Sequence, residues 1–147
     1  MQPATLCALV FGAALPLASL LAPIAKAEDG PPLELELELN AMDSVDAGCR
    51  LTFLAINQQE ADLDKLVLET VLFTTEGRVD RLTLFDFGPL PLSRPRVRQF
   101  NLSDIACGDL GRILINGAQS CEGEGIAPGA CVERLKLGSR TEAELIG

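Results

Sequence analysis

The sequence predicts an all-β protein, a sandwich of about seven antiparallel strands with two disulfides. Short apolar segments that alternate with a period of two recur along the chain, and turn residues separate them. No segment after residue 27 shows a clear amphipathic helical pattern. The four cysteines that could form the disulfides are Cys49, Cys107, Cys121 and Cys131.

Residues 1–27 are expected to be a removable signal peptide, outside the fold. Residues 6–24 are apolar apart from small residues and are interrupted by proline. Ala25-Lys26-Ala27 follows, the small-x-small pattern that precedes signal-peptidase cleavage. An uncleaved membrane anchor is the alternative. Cleavage would leave residues 28–147, which we expect to be a single β-sandwich domain.

The charge of the chain limits its partners. It carries 21 acidic and 12 basic residues, a net charge of −9. Lys26 is the only charged residue in the expected signal peptide, so its removal would give −10. Such a surface repels nucleic acids and anionic membranes. We therefore expect a protein partner, a periplasmic or secreted location, and no membrane insertion after cleavage.

An even number of cysteines in a small exported domain predicts disulfides. Cys121 and Cys131 flank a glycine-rich loop, so we expect them to pair, which leaves Cys49 with Cys107. Three connectivities are possible in principle. A four-cysteine zinc site is the competing interpretation, but the chain has no CxxC pair and no histidine.

The first expected strand, residues 33–39, alternates leucine with glutamate, which places four leucines on a core face and three glutamates toward water. Residues 49–56 alternate similarly and end at an expected turn, residues 57–59. Residues 63–75 also fit a helix at their start, but their Val, Thr and Phe content favours a strand. A tight turn at Glu76-Gly77 would lead into a return strand at residues 79–85.

The second half of the domain begins with a proline-rich segment. Gly88-Pro89-Leu90-Pro91 predicts a loop. Three further strands are expected at residues 96–102, 111–116 and 132–137. Residues 29–32 and 139–147 are expected to be loose ends.

Residues 49–116 resemble bacterial immunoglobulin-like domains that mediate contacts in the cell envelope. The shared features are Ala55-Ile56-Asn57 at a strand end, Leu66-Val67-Leu68 leading into Leu72-Phe73, the turn at Gly77, and residues 88–91 before an arginine-rich strand. The chain also resembles uncharacterised exported bacterial proteins with a segment like residues 111–116 and flanking cysteines. Some of those are labelled twin-arginine signal proteins, whereas this chain lacks an arginine pair. The resemblance implies an immunoglobulin-like antiparallel sandwich and brings no activity with it.

The residue types that are missing argue against an enzyme. Without histidine, the chain cannot build a Ser-His-Asp or Cys-His catalytic apparatus or the usual zinc and copper sites. It contains no Trp or Tyr to stack against sugars, and no glycine-rich phosphate motif. Scattered acids such as Asp43 and Asp62 fit turns better than a calcium loop. We expect no enzymatic activity, no cofactor and no metal.

Two rows of charged side chains are the candidate binding residues. One row lies on one face of the first strand and comprises Glu34, Glu36 and Glu38. The other is expected on one face of a later strand and comprises Arg94, Arg96 and Arg98. Both rows can be solvated strand faces that discourage aggregation. Alternatively they complement each other, across neighbouring strands or between weakly self-associating molecules. The glutamate strand can also be a sheet edge that is open to strand addition.

These observations predict an exported, non-catalytic binding or adaptor domain of a bacterial cell-envelope assembly. The alternative is a secreted protein inhibitor of a foreign hydrolase that presents the Cys121–Cys131 loop. A disulfide-bridged loop loses less conformational freedom on binding, which suits an inhibitor.

Overall fold

The computed structural model describes residues 34–147, which form two four-stranded sheets packed face to face. The strands are β1 Glu34–Val45, β2 Gly48–Gln58, β3 Leu63–Thr74, β4 Val79–Leu90, β5 Arg96–Ser103, β6 Leu110–Glu122, β7 Leu135–Ser139 and β8 Glu144–Ile146. A 3₁₀ turn spans Cys107–Asp109, and one short helix, α1, spans Ala130–Glu133. The predicted all-β sandwich is confirmed.

The first sheet, called sheet A, has the strand order β5-β2-β1-β7, and the second, sheet B, has the order β4-β3-β6-β8. The pairings among β1 to β6 are antiparallel, as expected. The pairings of β7 with β1 and of β8 with β6 are parallel. Alternation of apolar and polar residues carries no information on strand direction, so the sequence did not reveal these two parallel pairings.

The core lies between the sheets and follows the predicted alternation. Leu35, Leu37 and Leu39 of β1 are fully buried, and Leu33 lies outside the described residues. The predicted inner face of β2 is also buried, and comprises Cys49, Leu51, Phe53 and Ala55. Burial of each leucine contributes about 1.5–3 kcal/mol, so the alternating pattern stabilises this arrangement strongly.

Four phenylalanines join the sheets where β4 faces β5. Phe53 and Phe100 belong to sheet A, and Phe85 and Phe87 belong to β4 of sheet B. The rings of Phe85 and Phe100 stack with centroids 4.5 Å apart, and Phe53 meets Phe87 edge to face at 5.6 Å. Such pairs contribute about 0.5–1.5 kcal/mol beyond their burial. The cluster therefore fixes this side of the sandwich.

Several expected boundaries were wrong. The turn predicted at residues 57–59 comes later, because β2 continues to Gln58 and the buried Asn57 bonds to the main chain around it. The loop predicted at residues 88–91 is mostly strand, since β4 continues to Leu90 across an irregularity in its pairing with β3. Gly88 makes this possible with a φ of +61°. Its N–H donates to Asp86 Oδ1 at 2.8 Å.

The C-terminal segment also differs from the prediction. Residues 139–147 are not a loose end, because β8 pairs with β6 and the side chains of Ala143 and Leu145 are buried. The last predicted strand begins at Leu135 rather than residue 132, because α1 occupies the preceding residues. The expected signal peptide and the loose end at residues 29–32 lie outside the described residues.

Both expected disulfides are present, Cys49–Cys107 and Cys121–Cys131. They lie near the two ends of β6, where the chain enters sheet B and where it leaves for sheet A. The sequence separations are 58 and 10 residues. Loop-closure entropy then predicts stabilisation of about 4 and about 3 kcal/mol respectively. The pairings use all four cysteines that a zinc site would need.

Candidate interaction surface

The glutamate row lies on the outer face of sheet A, as the alternation predicted. The hypothesis that β1 is an open edge was wrong, because β2 and β7 flank it on both sides. The row instead meets cations at the β7 margin. Lys136 Nζ lies 3.2 Å from Glu36 Oε2, and Arg140 Nε lies 2.8 Å from Glu38 Oε1.

Glu38 accepts hydrogen bonds from two side chains. The Asn40 side-chain amide donates to its Oε1 at 2.9 Å, and the Arg140 guanidinium donates as well. These contacts lower the pKa of Glu38, first through Asn40 and then through Arg140. The row is thus a polar, internally paired face, and Glu34 continues it toward the start of β1.

The arginine row was placed on the wrong face by the prediction. Arg96 and Arg98 pair in register with the buried Ala55 and Phe53, so both are on the inner side of β5. Arg94 precedes the strand and is exposed. The two charged rows do not pair across neighbouring strands either, because β2 lies between β1 and β5. Complementarity between molecules stays a prediction.

Arg98 is tolerated on the inner side because β5 is the edge of sheet A. It is in register with Phe53 of the phenylalanine cluster, and its guanidinium reaches main-chain oxygens of β4. Nε donates to the oxygen of Phe87 at 2.6 Å, and Nη2 donates to that of Pro89 at 2.9 Å. In return, Arg81 of β4 donates from Nη1 to the Ser103 oxygen at 3.0 Å. The facing edges of β4 and β5 are therefore linked by side chains.

The outer face of sheet B, called the sheet B face below, carries a continuous row of apolar side chains. In register across the four strands, Leu82 pairs with Val71, Val71 with Leu114, and Leu114 with Ile146. Phe73 and Val79 form the next row. The exposed fractions are 70% for Leu82, 56% for Val79, 48% for Leu84 and 38% for Ile146. Clusters of this kind on a protein surface mark interaction sites.

The outer face of sheet A differs in chemistry. Its cross-strand neighbours are polar and bonded to each other, for instance Arg50 with Asn101 at 3.2 Å and Gln99 with Thr52 at 3.1 Å. Val97 is the large apolar side chain that is exposed there, at 58%. Four of the six exposed large apolar side chains in residues 34–147 lie instead on the sheet B face.

A shallow cavity of about 290 Å³ lies within the sheet B face. It is lined by Glu69, Thr70, Leu82, Thr83, Leu84 and Asn116. Glu69 sits in register between Leu84 of β4 and Gly117 of β6. A Cβ atom on Gly117 would lie 3.4 Å from Glu69 Oε2, so the carboxylate lies directly beside this glycine. The cavity thus combines one acid with two leucines and three polar residues.

Sequence reasoning missed the sheet B face, although a signal was present. Residues 66–73 of β3 are apolar on both sides, since Val67, Val71 and Phe73 alternate with the inward leucines. An apolar residue on each side of a strand indicates that both faces of its sheet are covered. Here the described residues cover only the inner face.

The Cys121–Cys131 loop packs back onto the domain. Ile126 contacts the core, and Gln59 Nε2 donates to the Ala130 oxygen at 3.1 Å. The main chain at Gly123 passes so close to Asp62 that a Cβ there would lie 2.4 Å from its oxygen. The loop exposes Glu124 and Pro128. The inhibitor hypothesis stays a prediction.

Among residues 34–147, no group of three or more Cys, Asp or Glu side chains is arranged to hold a metal ion. Asp62, one of the acids considered for calcium, accepts a hydrogen bond at 2.7 Å from the main-chain N–H of Leu92, which lies far from it in the sequence. Within the same range, no helix has the length and hydropathy needed to cross a membrane.

No protein-family model and no curated protein matches the chain. Among solved structures, the fold is similar to Salmonella enterica trimeric lipoprotein SadB, with a TM-score of 0.42 and 13% sequence identity. The similarity covers 48% of this chain and 40% of that one.

Proposed function

We propose that this chain is an exported, non-catalytic binding domain, an adaptor in a bacterial cell-envelope assembly, and that it holds its protein partner on the sheet B face. The observation that carries the proposal is the apolar row from Leu82 to Ile146, which crosses all four strands. Water contacts these side chains in the isolated domain, so covering them with a partner is favourable at about 25 cal/mol per Å² of apolar surface.

The framework under this face supports a binding role. Hydrogen-bonded strands hold Val71, Leu82 and Leu114 in fixed positions, so a partner orders little main chain when it docks. Val71 and Val67 are already nearly buried by their neighbours, so the apolar surface that a partner would cover comes mainly from Leu82, Val79 and Leu84.

The covalent chemistry of the chain supports a location outside the cytoplasm. Disulfides form and persist in oxidising compartments, and the domain has two. The small-x-small pattern at residues 25–27 supports delivery there by a signal peptide. A chain without histidine has few ways to activate a nucleophile, which favours binding over catalysis.

Site-directed photo-crosslinking in the producing cells tests the proposal. A photoreactive phenylalanine analogue replaces Leu82 on the sheet B face, and in a matched variant it replaces Val97 on the outer face of sheet A. Both positions are exposed strand residues on edge strands. We expect one defined envelope protein to attach at position 82 and not at position 97.

Binding through the face is then checked by substitution. In the background of the position 82 crosslinker, Leu84→Ser should lower the adduct yield, whereas Val97→Ser should not. Equal labelling at positions 82 and 97, or no adduct at either, would contradict the proposal. Attachment of an external hydrolase to a crosslinker at the exposed Glu124, with none at position 82, would favour the inhibitor instead.

A further inference from the structure

We infer that Glu69 receives a basic side chain, arginine or lysine, which the protein partner presents from an apolar surface. The inference rests on the proposed function of the sheet B face and names the chemistry of the partner. It starts from the position of Glu69 in that face, between the exposed Leu84 and the side-chain-free Gly117.

The carboxylate of Glu69 is available for such a contact. None of the four salt bridges within residues 34–147 involves it. Arg112, which is in register with Phe73 on this face, is bonded to Glu144 at 2.8 Å. Glu69 is half-buried and lines the cavity of about 290 Å³. A side chain of the partner would therefore contact the carboxylate inside this shallow cavity.

The shape of the cavity suits a long basic side chain. Leu82 and Leu84 line it and can pack against an aliphatic stem, while Glu69 and Asn116 provide oxygen acceptors for the head group. A guanidinium can donate two parallel hydrogen bonds to one carboxylate. A covered carboxylate without a partner cation loses its hydration, so the face should reject partners that lack a basic group there.

The charge of the chain favours a basic protein partner over a second copy of the chain or a lipid surface. The chain carries a net charge of −9, which opposes both self-association and contact with an anionic membrane. Two copies face to face would also place two Glu69 carboxylates in one interface, where like charges repel. Of the basic residues on β3 and β6, Arg112 is already paired with Glu144, and Lys65 lies toward the start of β3, in register with Glu122. A basic, apolar protein surface is the complementary occupant.

A random peptide library displayed on phage is the probe. The disulfide-intact domain should select peptides with an arginine or lysine flanked by apolar residues. For a selected synthetic peptide, Glu69→Gln should raise Kd about tenfold or more, the cost of one charge-assisted contact. The matched variant Glu34→Gln, which removes one negative charge from the outer face of sheet A, should leave Kd unchanged. Glu69→Lys should enrich acidic peptides instead.

The outcomes distinguish the inference from the proposed function. If a Leu82→Ser, Leu84→Ser double variant abolishes binding while Glu69→Gln does not, the inference is wrong and the binding face stands. If neither changes Kd, both are wrong. Selection of purely apolar peptides, or a crosslinked adduct with the mass of two copies, would also overturn the inference. Thermal unfolding of each variant verifies that it is folded.

Discussion

Arg98 of β5 donates a hydrogen bond of 2.6 Å from Nε to the main-chain oxygen of Phe87 in β4, and so joins the edges of the two sheets. Edge strands expose unpaired main-chain groups that invite other strands to pair. The guanidinium occupies two such oxygens, since Nη2 also reaches Pro89. Arg98, which the sequence placed in a binding row, thus links β5 of sheet A to β4 of sheet B.

Arg98→Lys should lower the free energy of unfolding by about 1–2 kcal/mol. The lysine side chain is shorter and its ammonium lacks the fork of a guanidinium, so it cannot bond to the oxygens of both Phe87 and Pro89. Urea denaturation of the disulfide-intact domain measures this. Arg94→Lys is the control, since Arg94 is exposed before the strand, and it should change stability by less than about 0.5 kcal/mol. Equal effects of the two substitutions would mean that the Arg98 contacts contribute nothing.

Asn57→Ala should destabilise the domain by about 3 kcal/mol or more. Its side-chain amide donates to the oxygens of Ala61 and Leu90, and its Oδ1 accepts from the Gln59 N–H, all within 2.9 Å. Since Asn57 is fully buried, truncation leaves these main-chain groups without water or protein partners. Differential scanning calorimetry of the variant measures this loss. Asn101→Ala, at an exposed position on β5, is the control and should destabilise the domain far less.

The two disulfides should contribute unequally to stability. Replacing both Cys49 and Cys107 by alanine should cost about 4 kcal/mol, and replacing both Cys121 and Cys131 about 3 kcal/mol, because the first closes the longer loop. Chemical denaturation of the two double variants gives the comparison. A larger loss for the Cys121–Cys131 variant would show that loop closure does not govern their contributions.

Glu38 should contribute to the acid sensitivity of the fold. Its pKa is lowered from the ordinary value of 4.5, first by the Asn40 amide and then by Arg140. A carboxyl whose pKa is lowered by folding stabilises the folded state above that ordinary value. The contribution is lost as the pH falls from 4.5 through the folded pKa.

Asn40→Ala should therefore raise the pKa of Glu38 toward its ordinary value, as followed by NMR titration of its carboxyl carbon. Glu76 is the internal control, because its lowered pKa arises first from the Thr74 hydroxyl. A titration of Glu38 that is the same in both proteins would show that Asn40 does not hold its carboxylate.

The candidate site shows where prediction from sequence stops. Alternation identified the inward face of β1 and β2 correctly, because a core requires apolar side chains at every second position. The same rule put Arg96 and Arg98 on a solvated face, since it cannot tell that β5 is an edge whose inner side opens beside β4. It also left Leu82 and Ile146 unconnected, because their common row depends on the register of four strands.

What the sequence determined by itself is local or a matter of composition: strand periodicity, the turn at Gly77, the acidic charge and an even number of cysteines. These depend on neighbouring residues or on simple counting. Tertiary structure alone decided which strands became edges, that β7 and β8 pair in parallel, and that Glu69 and Leu82 share one outer face. Such relations join residues far apart in the chain, and their free energy is gained only when both sheets have assembled.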